Sequence, residues 1–412
     1  MPNEVDSVLK ELFLKFGYTE DEYERIRNSY SIKNYHDETL VIKFNEITNY
    51  LISVGYDKND IIRTGKILPQ IFGLSVSNIS KKIVDMMSLG YTRDEVVEIS
   101  KSFPKIFSYT AETNKKQIDV IESYSYTKKQ ALKLIKASPR ILANAETYIE
   151  AKIKNITSLG FSRDDVIKMS KAYPILFRLS FKHIKNSFEG IMKLGYSFEG
   201  TIKIGREYPQ IFGFNGDKLN EKINELVDLG YTREDVLRIT KSSPSILGLN
   251  IDSIKTKIEE IRLIGYSREE VLEITRVSPP IYTYSTTSMM KKVHGIINLG
   301  YTREEVLDMT ISLPSIYGFN IENIKEKVEF YDSIGMHDLL VVNTKNLMQS
   351  VALSYARYKF YLSLGINISM DNYEKLFISN KVFEKLYGIK KEELLNRYSY
   401  EEYIESKEKV KK

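Results

Sequence analysis

Residues 230–264 read GYTREDVLRITKSSPSILGLNIDSIKTKIEEIRLI, and copies of this 35-residue stretch follow one another along most of the chain. Each copy carries a proline at the same position, and no insertion or deletion interrupts the spacing. A glycine starts every copy except one, where Ser125 replaces it. A fixed period of this kind indicates stacked repeats. The prolines are Pro69, Pro104, Pro139, Pro174, Pro209, Pro244, Pro279 and Pro314.

The pattern inside one copy predicts two helices joined by a turn. Thr232 and Asp235 form a capping-box signature at the start of a first helix, helix A. Pro244 ends this helix and suits the first position of a short 3₁₀ turn. Asn250 then caps a second helix, helix B, and the equivalent residue is a good N-cap in every copy except Ala145. Such a unit cannot bury its apolar face alone, so it must stack on its neighbours.

We therefore predict an all-α, superhelical α-solenoid of about eight regular 35-residue helix–turn–helix repeats with divergent terminal caps. The expected boundaries are an N-terminal cap unit over 1–50, a regular array over 51–335, a C-terminal cap unit over 336–404 and a charged tail over 405–412. The 35-residue period fails in the C-terminal cap unit. Eight units at helix-packing distance predict an array of roughly 70 Å.

Composition argues against several functional classes. The 412 residues contain no cysteine, which excludes disulfides, cysteine nucleophiles and thiolate metal sites. No apolar run is long enough to cross a membrane, so no membrane partner is expected. The four histidines occupy unrelated repeat positions, and paired acids fall at helix starts. We therefore predict no catalytic residue, no metal, no cofactor and no enzymatic activity.

Because the copies are in register, each repeat position forms a column, and three columns are basic. The pre-proline column lies three residues before each proline and ends at Ile311, the helix-start column follows the helix-A cap, and the helix-B column lies within helix B. The pre-proline column contains Lys66, Lys101, Lys136, Lys171, Arg206, Lys241 and Arg276. The helix-start column contains Lys58, Arg93, Lys128, Arg163, Arg233, Arg268 and Arg303. The helix-B column contains Lys82, Lys152, Lys222, Lys257, Lys292 and Lys327.

Each column has a structural interpretation beside a functional one. A cation near the end of helix A complements the helix dipole by about 0.3–1 kcal/mol, which alone could explain the pre-proline column. A cation in the first turn faces the positive end of helix A, so the helix-start column indicates either contact with a phosphate or pairing with the adjacent acidic cap positions or with a neighbouring unit. The helix-B column is also typical of a solvated face. Together, the three columns could follow a phosphate backbone.

Two further sets of positions bear on nucleic-acid recognition. Aromatic residues recur after the glycine and three residues after the proline; we expect core packing, with base stacking on single strands as the alternative. The residue after each proline varies between copies, and Arg140 is a candidate for a base contact because arginine can bind a base bidentately. The variable residues are Gln70, Lys105, Arg140, Ile175, Gln210, Ser245, Pro280 and Ser315.

The motif Leu-Gly-Tyr-Thr-Arg-Glu-Asp-Val-Leu, followed by a basic residue, Pro-x-Ile-Leu or Pro-x-Ile-Phe and a capped second helix, resembles the mitochondrial transcription termination factor (mTERF) repeat over about residues 50–335. The stretches Ala356–Ile366 and Phe383–Tyr387 look like the C-terminal unit of that family, although Ala356 stands where the family often has proline. The resemblance implies a left-handed solenoid of helical triangles whose basic concave side wraps double-stranded nucleic acid. It also implies a role in organellar transcription, ribosome assembly or intron splicing.

The leading functional prediction is a non-enzymatic, monomeric protein that wraps double-stranded DNA and regulates transcription, by termination or a related step. Binding to ribosomal or intron RNA and a protein-interaction scaffold are the alternatives, and columns paired wholly with Glu and Asp would favour the scaffold. An array of roughly 70 Å would cover on the order of 20 base pairs, and one column of phosphate contacts predicts a log–log salt slope of about −6.

The expected location follows from the first residues. Met1–Phe16 carries Glu4, Asp6 and Glu11, whereas an import signal is basic or apolar. We expect a cytoplasmic, nucleoid-associated protein of a prokaryote. A mitochondrial or plastid matrix protein whose transit peptide is absent from this chain is the alternative.

Overall fold

The computed structural model describes residues 4–401 and 404, and the predicted charged tail, 405–412, lies outside them. The chain divides into two compact units, one up to Leu219 and one from Asn220 onward. Each unit is a series of helical repeats, and no strand occurs among the described residues. The predicted fold class, an all-α solenoid of repeats, is confirmed.

Eight repeats of 35 residues, numbered 1 to 8 from Gly55, share three elements: helix A, a 3₁₀ turn and helix B. The A helices are α4 Lys58–Ile67, α6 Arg93–Ser102, α8 Lys128–Ala137, α10 Arg163–Ala172, α12 Phe198–Glu207, α14 Arg233–Ser242, α16 Arg268–Val277 and α18 Arg303–Ser312. The B helices are α5 Val76–Ser88, α7 Ala111–Ser123, α9 Ala145–Thr157, α11 Phe181–Lys193, α13 Gly216–Asp228, α15 Ile251–Arg262, α17 Thr286–Ile297 and α19 Ile321–Ser333.

The turns between them are η1 Pro69–Gly73, η2 Pro104–Ser108, η3 Pro139–Ala143, η4 Pro174–Phe177, η5 Pro209–Gly213, η6 Pro244–Gly248, η7 Pro279–Thr283 and η8 Pro314–Gly318. Each turn begins at the proline that recurs every 35 residues, as the sequence predicts. The residue before the proline leaves helical geometry; Ser243, for example, has φ −141° and ψ 73°. The proline therefore acts as the corner between the two helices.

Local signals set the helix ends. The Thr232 hydroxyl accepts a hydrogen bond from the Asp235 N–H at 3.1 Å, and the Asp235 carboxylate accepts one from the Thr232 N–H at 3.2 Å. This capping box starts α14, as predicted. The helix-B cap in repeat 3 is Asn144, not Ala145: its side chain accepts from the Thr147 N–H at 3.0 Å. Only a side chain with an acceptor can satisfy that orphan N–H, so α9 starts at Ala145.

Within each compact unit, the repeats contribute successive layers to the core. In repeat 2, Val96 and Ile99 of helix A, Ile106 and Phe107 of the turn and Ile118 of helix B are all buried. Neighbouring A helices lie side by side, as α6, α8, α10 and α12 do, and the same holds for the B helices α5, α7, α9 and α11. The repeats therefore bury their apolar faces against each other, as a unit of this size must.

Polar contacts also join successive repeats inside the core. The Tyr126 hydroxyl is hydrogen-bonded to Ser170 of the next repeat, and Tyr266 makes the same contact with Thr310. Both tyrosines are buried, so the hydroxyl groups need these partners. The second residue of one repeat thus fixes its position against the eleventh residue of the next.

A ninth unit follows the regular array and is shortened to 30 residues between Gly335 and Gly365. Its elements are α20 Leu339–Val342, η9 Thr344–Met348 and α21 Val351–Ser363. The repeat pattern therefore continues where the 35-residue period fails, because the loss falls within helix A. Residues beyond it form η10 Tyr373–Phe377, α22 Asn380–Tyr387 and α23 Lys391–Arg397; the first repeat is preceded by α1 Glu4–Phe16, α2 Glu20–Arg27 and α3 Asp37–Ser53.

Candidate nucleic-acid interface

The pre-proline column lies on the last turn of helix A and contacts the acidic start of the preceding helix A. The Lys136 ammonium lies 3.0 Å from Glu95, Lys101 lies 3.2 Å from Asp60, and Arg276 lies 3.1 Å from Asp235. The acid in each pair is the capping-box residue, 41 positions earlier in the chain. These cations therefore join successive repeats.

Lys171 and Lys241 of the pre-proline column have no acid 41 positions earlier in the chain. Lys171 has Gln130 at the corresponding acidic position and instead donates to the Ser125 carbonyl at 2.6 Å. Arg206 and Lys241 are exposed. The first member, Lys66, pairs with Glu22, and this contact lowers the pKa of the Glu22 carboxyl below its usual value.

The helix-start column lies against the end of the preceding helix B. The Arg268 guanidinium donates to the Leu229 carbonyl at 3.1 Å, and Arg303 donates to the Ile264 carbonyl. These carbonyls lie just beyond the ends of α13 and α15, where the helix dipole is negative, so the cation is favourably placed although it belongs to the first turn of helix A. The predicted pairing with a neighbouring unit is therefore found for both residues, and the Arg268 guanidinium also lies 3.7 Å from Glu259 of the preceding repeat.

Other members of the helix-start column have different surroundings. The Arg163 guanidinium binds both carboxylate oxygens of Glu150, at 2.6 and 3.0 Å. Hydrogen bonds from Arg163 and then from Tyr124 lower the pKa of Glu150 to about 2. Arg93 and Arg233 are exposed. Within this column an acidic partner is therefore present at Arg163 and, through Glu259, at Arg268.

The helix-B column faces the next repeat and is half-buried. Lys152 donates to the Leu179 carbonyl at 2.6 Å, and Lys292 donates to the Phe319 carbonyl. Burial lowers the pKa of both lysines. Lys222 lies 3.2 Å from Glu225, and Lys257 lies 2.8 Å from Glu260. The carbonyls of Leu179 and Phe319 immediately precede a helix-B cap, so these ammonium groups hold one repeat on the next.

The aromatic positions belong to the core. All twelve side chains are buried, which confirms the packing prediction and excludes base stacking by these residues in this structure. They are Tyr91, Phe161, Tyr196, Tyr231, Tyr266 and Tyr301 after the glycine, and Phe72, Phe107, Phe177, Phe212, Tyr282 and Tyr317 after the proline.

Sequence reasoning missed a fourth basic set, which we call the outer helix-A row. Its members lie six residues before a proline, one helical turn from the pre-proline column: Arg63, Lys133, Lys168, Lys203 and Arg238. Positions three apart on a helix are neighbours on one face. Acids replace these cations at Glu98, Glu273 and Asp308, and this interruption hides the row from a search for complete columns.

The surface charge is concentrated in repeats 3 and 4. Residues 125–194 contain fourteen lysines and arginines and five acids, whereas residues 300–334 contain three basic and seven acidic residues. Arg140, the candidate for a base contact, is exposed after Pro139 in this basic part. Repeats 3 and 4 therefore carry a large excess of basic residues, which includes the exposed Lys133, Lys136 and Lys168 of their A helices.

A family model for mTERF matches residues 38–124, 112–228 and 216–338, which together make up more than half of the chain. The chain belongs to the mTERF family. No curated protein is similar enough to it to count as a match. The mTERF assignment indicates a nucleic-acid-binding helical-repeat protein of a generally non-enzymatic family.

Two observations on this mTERF chain concern other classes of site. No group of three or more His, Asp or Glu side chains in the described residues could hold a metal ion. In that same part of the chain, no helix is both long and apolar enough to span a membrane. Among the surfaces discussed above, the cationic helix-A face is the one whose chemistry suits the phosphates of a nucleic acid.

Proposed function

We propose that this mTERF protein binds double-stranded DNA as a monomer and regulates transcription, by termination or a related step. The observation that supports the proposal is the pairing of two basic positions on consecutive A helices. Lys133 and Lys136 on α8, Lys168 and Lys171 on α10, and Lys203 and Arg206 on α12 occupy the outer helix-A row and the pre-proline column. Three adjacent helices thus present the same sign of charge.

The regular spacing of these six cations, within each helix and between helices, suits a phosphate backbone better than isolated surface charges would. The two cations on one helix lie one turn apart, and packed helices lie 8–10 Å from each other. Some of these cations already have acidic neighbours, such as Glu95 for Lys136. An exposed ion pair is worth only about 0–1 kcal/mol, so a phosphate can replace the carboxylate at small cost.

Binding is tested with duplex DNA and a sequence-matched RNA duplex in competition for the purified protein. If the six paired cations each neutralise one phosphate, the log–log salt slope on DNA is about −5 or steeper. Tighter binding to DNA with such a slope is the expected result. Preference for the RNA duplex would support the ribosomal or intron RNA alternative. Salt-independent or absent binding to both would contradict the proposal and favour the protein scaffold.

The role in transcription needs its own experiment. Genomic fragments retained by the protein identify a preferred site, and that site is then placed downstream of a promoter in an in vitro transcription assay. We expect protein-dependent shortening of the transcript at the site. Full-length transcript at saturating protein would reject termination while leaving DNA binding intact.

The location is a proposal of the same kind. We propose a cytoplasmic, nucleoid-associated protein, with the mitochondrial or plastid matrix as the alternative. Fractionation of the native cells, with recovery of the protein alongside the nucleoid or within an organelle, distinguishes the two.

A further inference from the structure

Helix A of repeat 3, α8, differs from the other A helices in the charge of its outer face. Lys129, Lys133 and Lys136 are four and three residues apart, so they lie on one side of α8, and Arg140 follows in η3. All four side chains are exposed. At 1.5 Å per residue the part of the row on α8, from Lys129 to Lys136, is about 10 Å long.

No acidic residue neutralises this row from its own repeat. Between Glu122 and Glu146 the chain contains no Asp or Glu. Lys136 pairs with Glu95 of the preceding repeat, and the described residues place no ion-pair partner beside Lys129, Lys133 or Arg140. The α8 face is therefore cationic along its whole length.

The missing acids are not required by the fold. Five other A helices carry acids at both their second and third positions, such as Glu269 and Glu270 in repeat 7, whereas α8 has Lys129 and Gln130. Gln130 still completes the capping box, since its amide oxygen accepts from the Thr127 N–H at 2.9 Å. The helix start is thus preserved while two negative charges are absent.

The resulting charge pattern works against helix stability. Lys129 and Lys133 form a like-charged i, i+4 pair, which costs about 0.2–0.5 kcal/mol. Lys128 and Lys129 also face the positive end of the helix dipole. The contact with Glu95 gives a structural reason for Lys136 but not for Lys129 and Lys133, and a bound anion would offset both unfavourable effects.

We propose that α8 is the anchor of nucleic-acid binding, where a phosphodiester backbone lies along Lys129, Lys133, Lys136 and Arg140. This inference rests on the proposed function and goes beyond it, because it assigns most of the affinity to one repeat. Four phosphate contacts on duplex DNA contribute about −3.6 to the log–log salt slope. The other repeats then orient the duplex and add weaker contacts.

The direct test removes Lys129 and Lys133 from α8, two cations that belong to none of the three basic columns. Lys129→Gln/Lys133→Gln is compared with Lys154→Gln/Lys193→Gln, which removes two exposed lysines from the B helices of repeats 3 and 4. Loss of two phosphate contacts makes the salt slope less negative by about 1.8 and lowers affinity about 30-fold at about 150 mM salt. The matched control keeps the wild-type slope.

A second variant tests the same face of α8 with substitutions that the fold accepts in another repeat. Lys129→Glu/Gln130→Glu installs the acidic pair that repeat 7 carries at the same positions, so the capping box is retained. We expect a folded protein with a still larger loss of affinity. If wild-type protein binds DNA and both α8 variants bind like the control, the anchor is refuted while the proposed function stands. If wild-type protein binds no nucleic acid, the proposed function itself fails.

Discussion

The role of the helix-B column is best tested at Lys152, because the structure and the sequence-based prediction disagree about what its ammonium contacts. The side chain is half-buried, and it donates to the Leu179 carbonyl at 2.6 Å. Lys152→Met retains the aliphatic stem and removes the donor. A hydrogen bond to a charged group contributes about 1.5–3 kcal/mol, so we expect a loss of about 2 kcal/mol in the local stability of repeat 4.

The measurement must be local, since an array of repeats need not unfold in one step. Hydrogen exchange of a peptide covering Leu179 and the start of α11 should accelerate about 30-fold, which corresponds to about 2 kcal/mol. Lys154→Met, two residues away and exposed on the same helix, is the matched control and should change exchange by less than about threefold.

The same pair of variants decides whether Lys152 also contacts phosphate. If its ammonium is committed to Leu179, Lys152→Met keeps the wild-type salt slope for DNA at a temperature where the array is folded. A slope less negative by about 0.9, with unchanged hydrogen exchange, would show a phosphate contact and refute the structural role.

Three further outcomes are expected. Ser125 is the one non-glycine residue with positive φ among the described residues, at 67°, so Ser125→Gly should raise the unfolding free energy by about 0.5–1 kcal/mol in urea denaturation. Tyr231→Phe removes the hydroxyl shared with Thr275 and Tyr282 and should cost about 1–2 kcal/mol in the same assay. Because Arg163 lowers the pKa of Glu150 to about 2, wild-type stability should fall as pH drops from about 4.5 towards 2, and Glu150→Gln should show less of this fall; equal pH profiles would contradict it.

Most of the fold could be predicted because its signals are local. The proline that starts each turn, the capping box and the glycine after helix B each act within a few residues. Two details of the fold could not be predicted from the sequence. The cap at Asn144 depends on which of two adjacent residues becomes extended, and the sequence alone does not decide that. The ninth unit was obscured because its helix A is reduced to α20, which removes the spacing that identifies the other repeats.

The candidate interface was less predictable, because each basic column has its partner in another repeat. Lys136 meets Glu95 across 41 positions, and Lys152 meets Leu179 across 27. Neither partner is visible within one copy of the repeat. One feature of the interface is visible in the sequence. Gln130, which stands 41 residues before Lys171, identifies α8 as the one A helix of repeats 1 to 8 without an acid in its first turn.

A cation that joins repeats and a cation that contacts DNA should be distributed differently along the chain, for physical reasons. Several junctions between repeats use the same helix-A contact, so a cation that joins repeats recurs at the same position in several copies, as Lys136 and Arg276 do. A duplex turns once in about 34–36 Å, whereas packed helices are 8–10 Å apart, so successive repeats cannot meet the backbone in the same way. Contacts to DNA should therefore fall on some repeats and not on others. The cations that vary between copies, above all Lys129 and Lys133, are accordingly better candidates for phosphate binding than the complete columns.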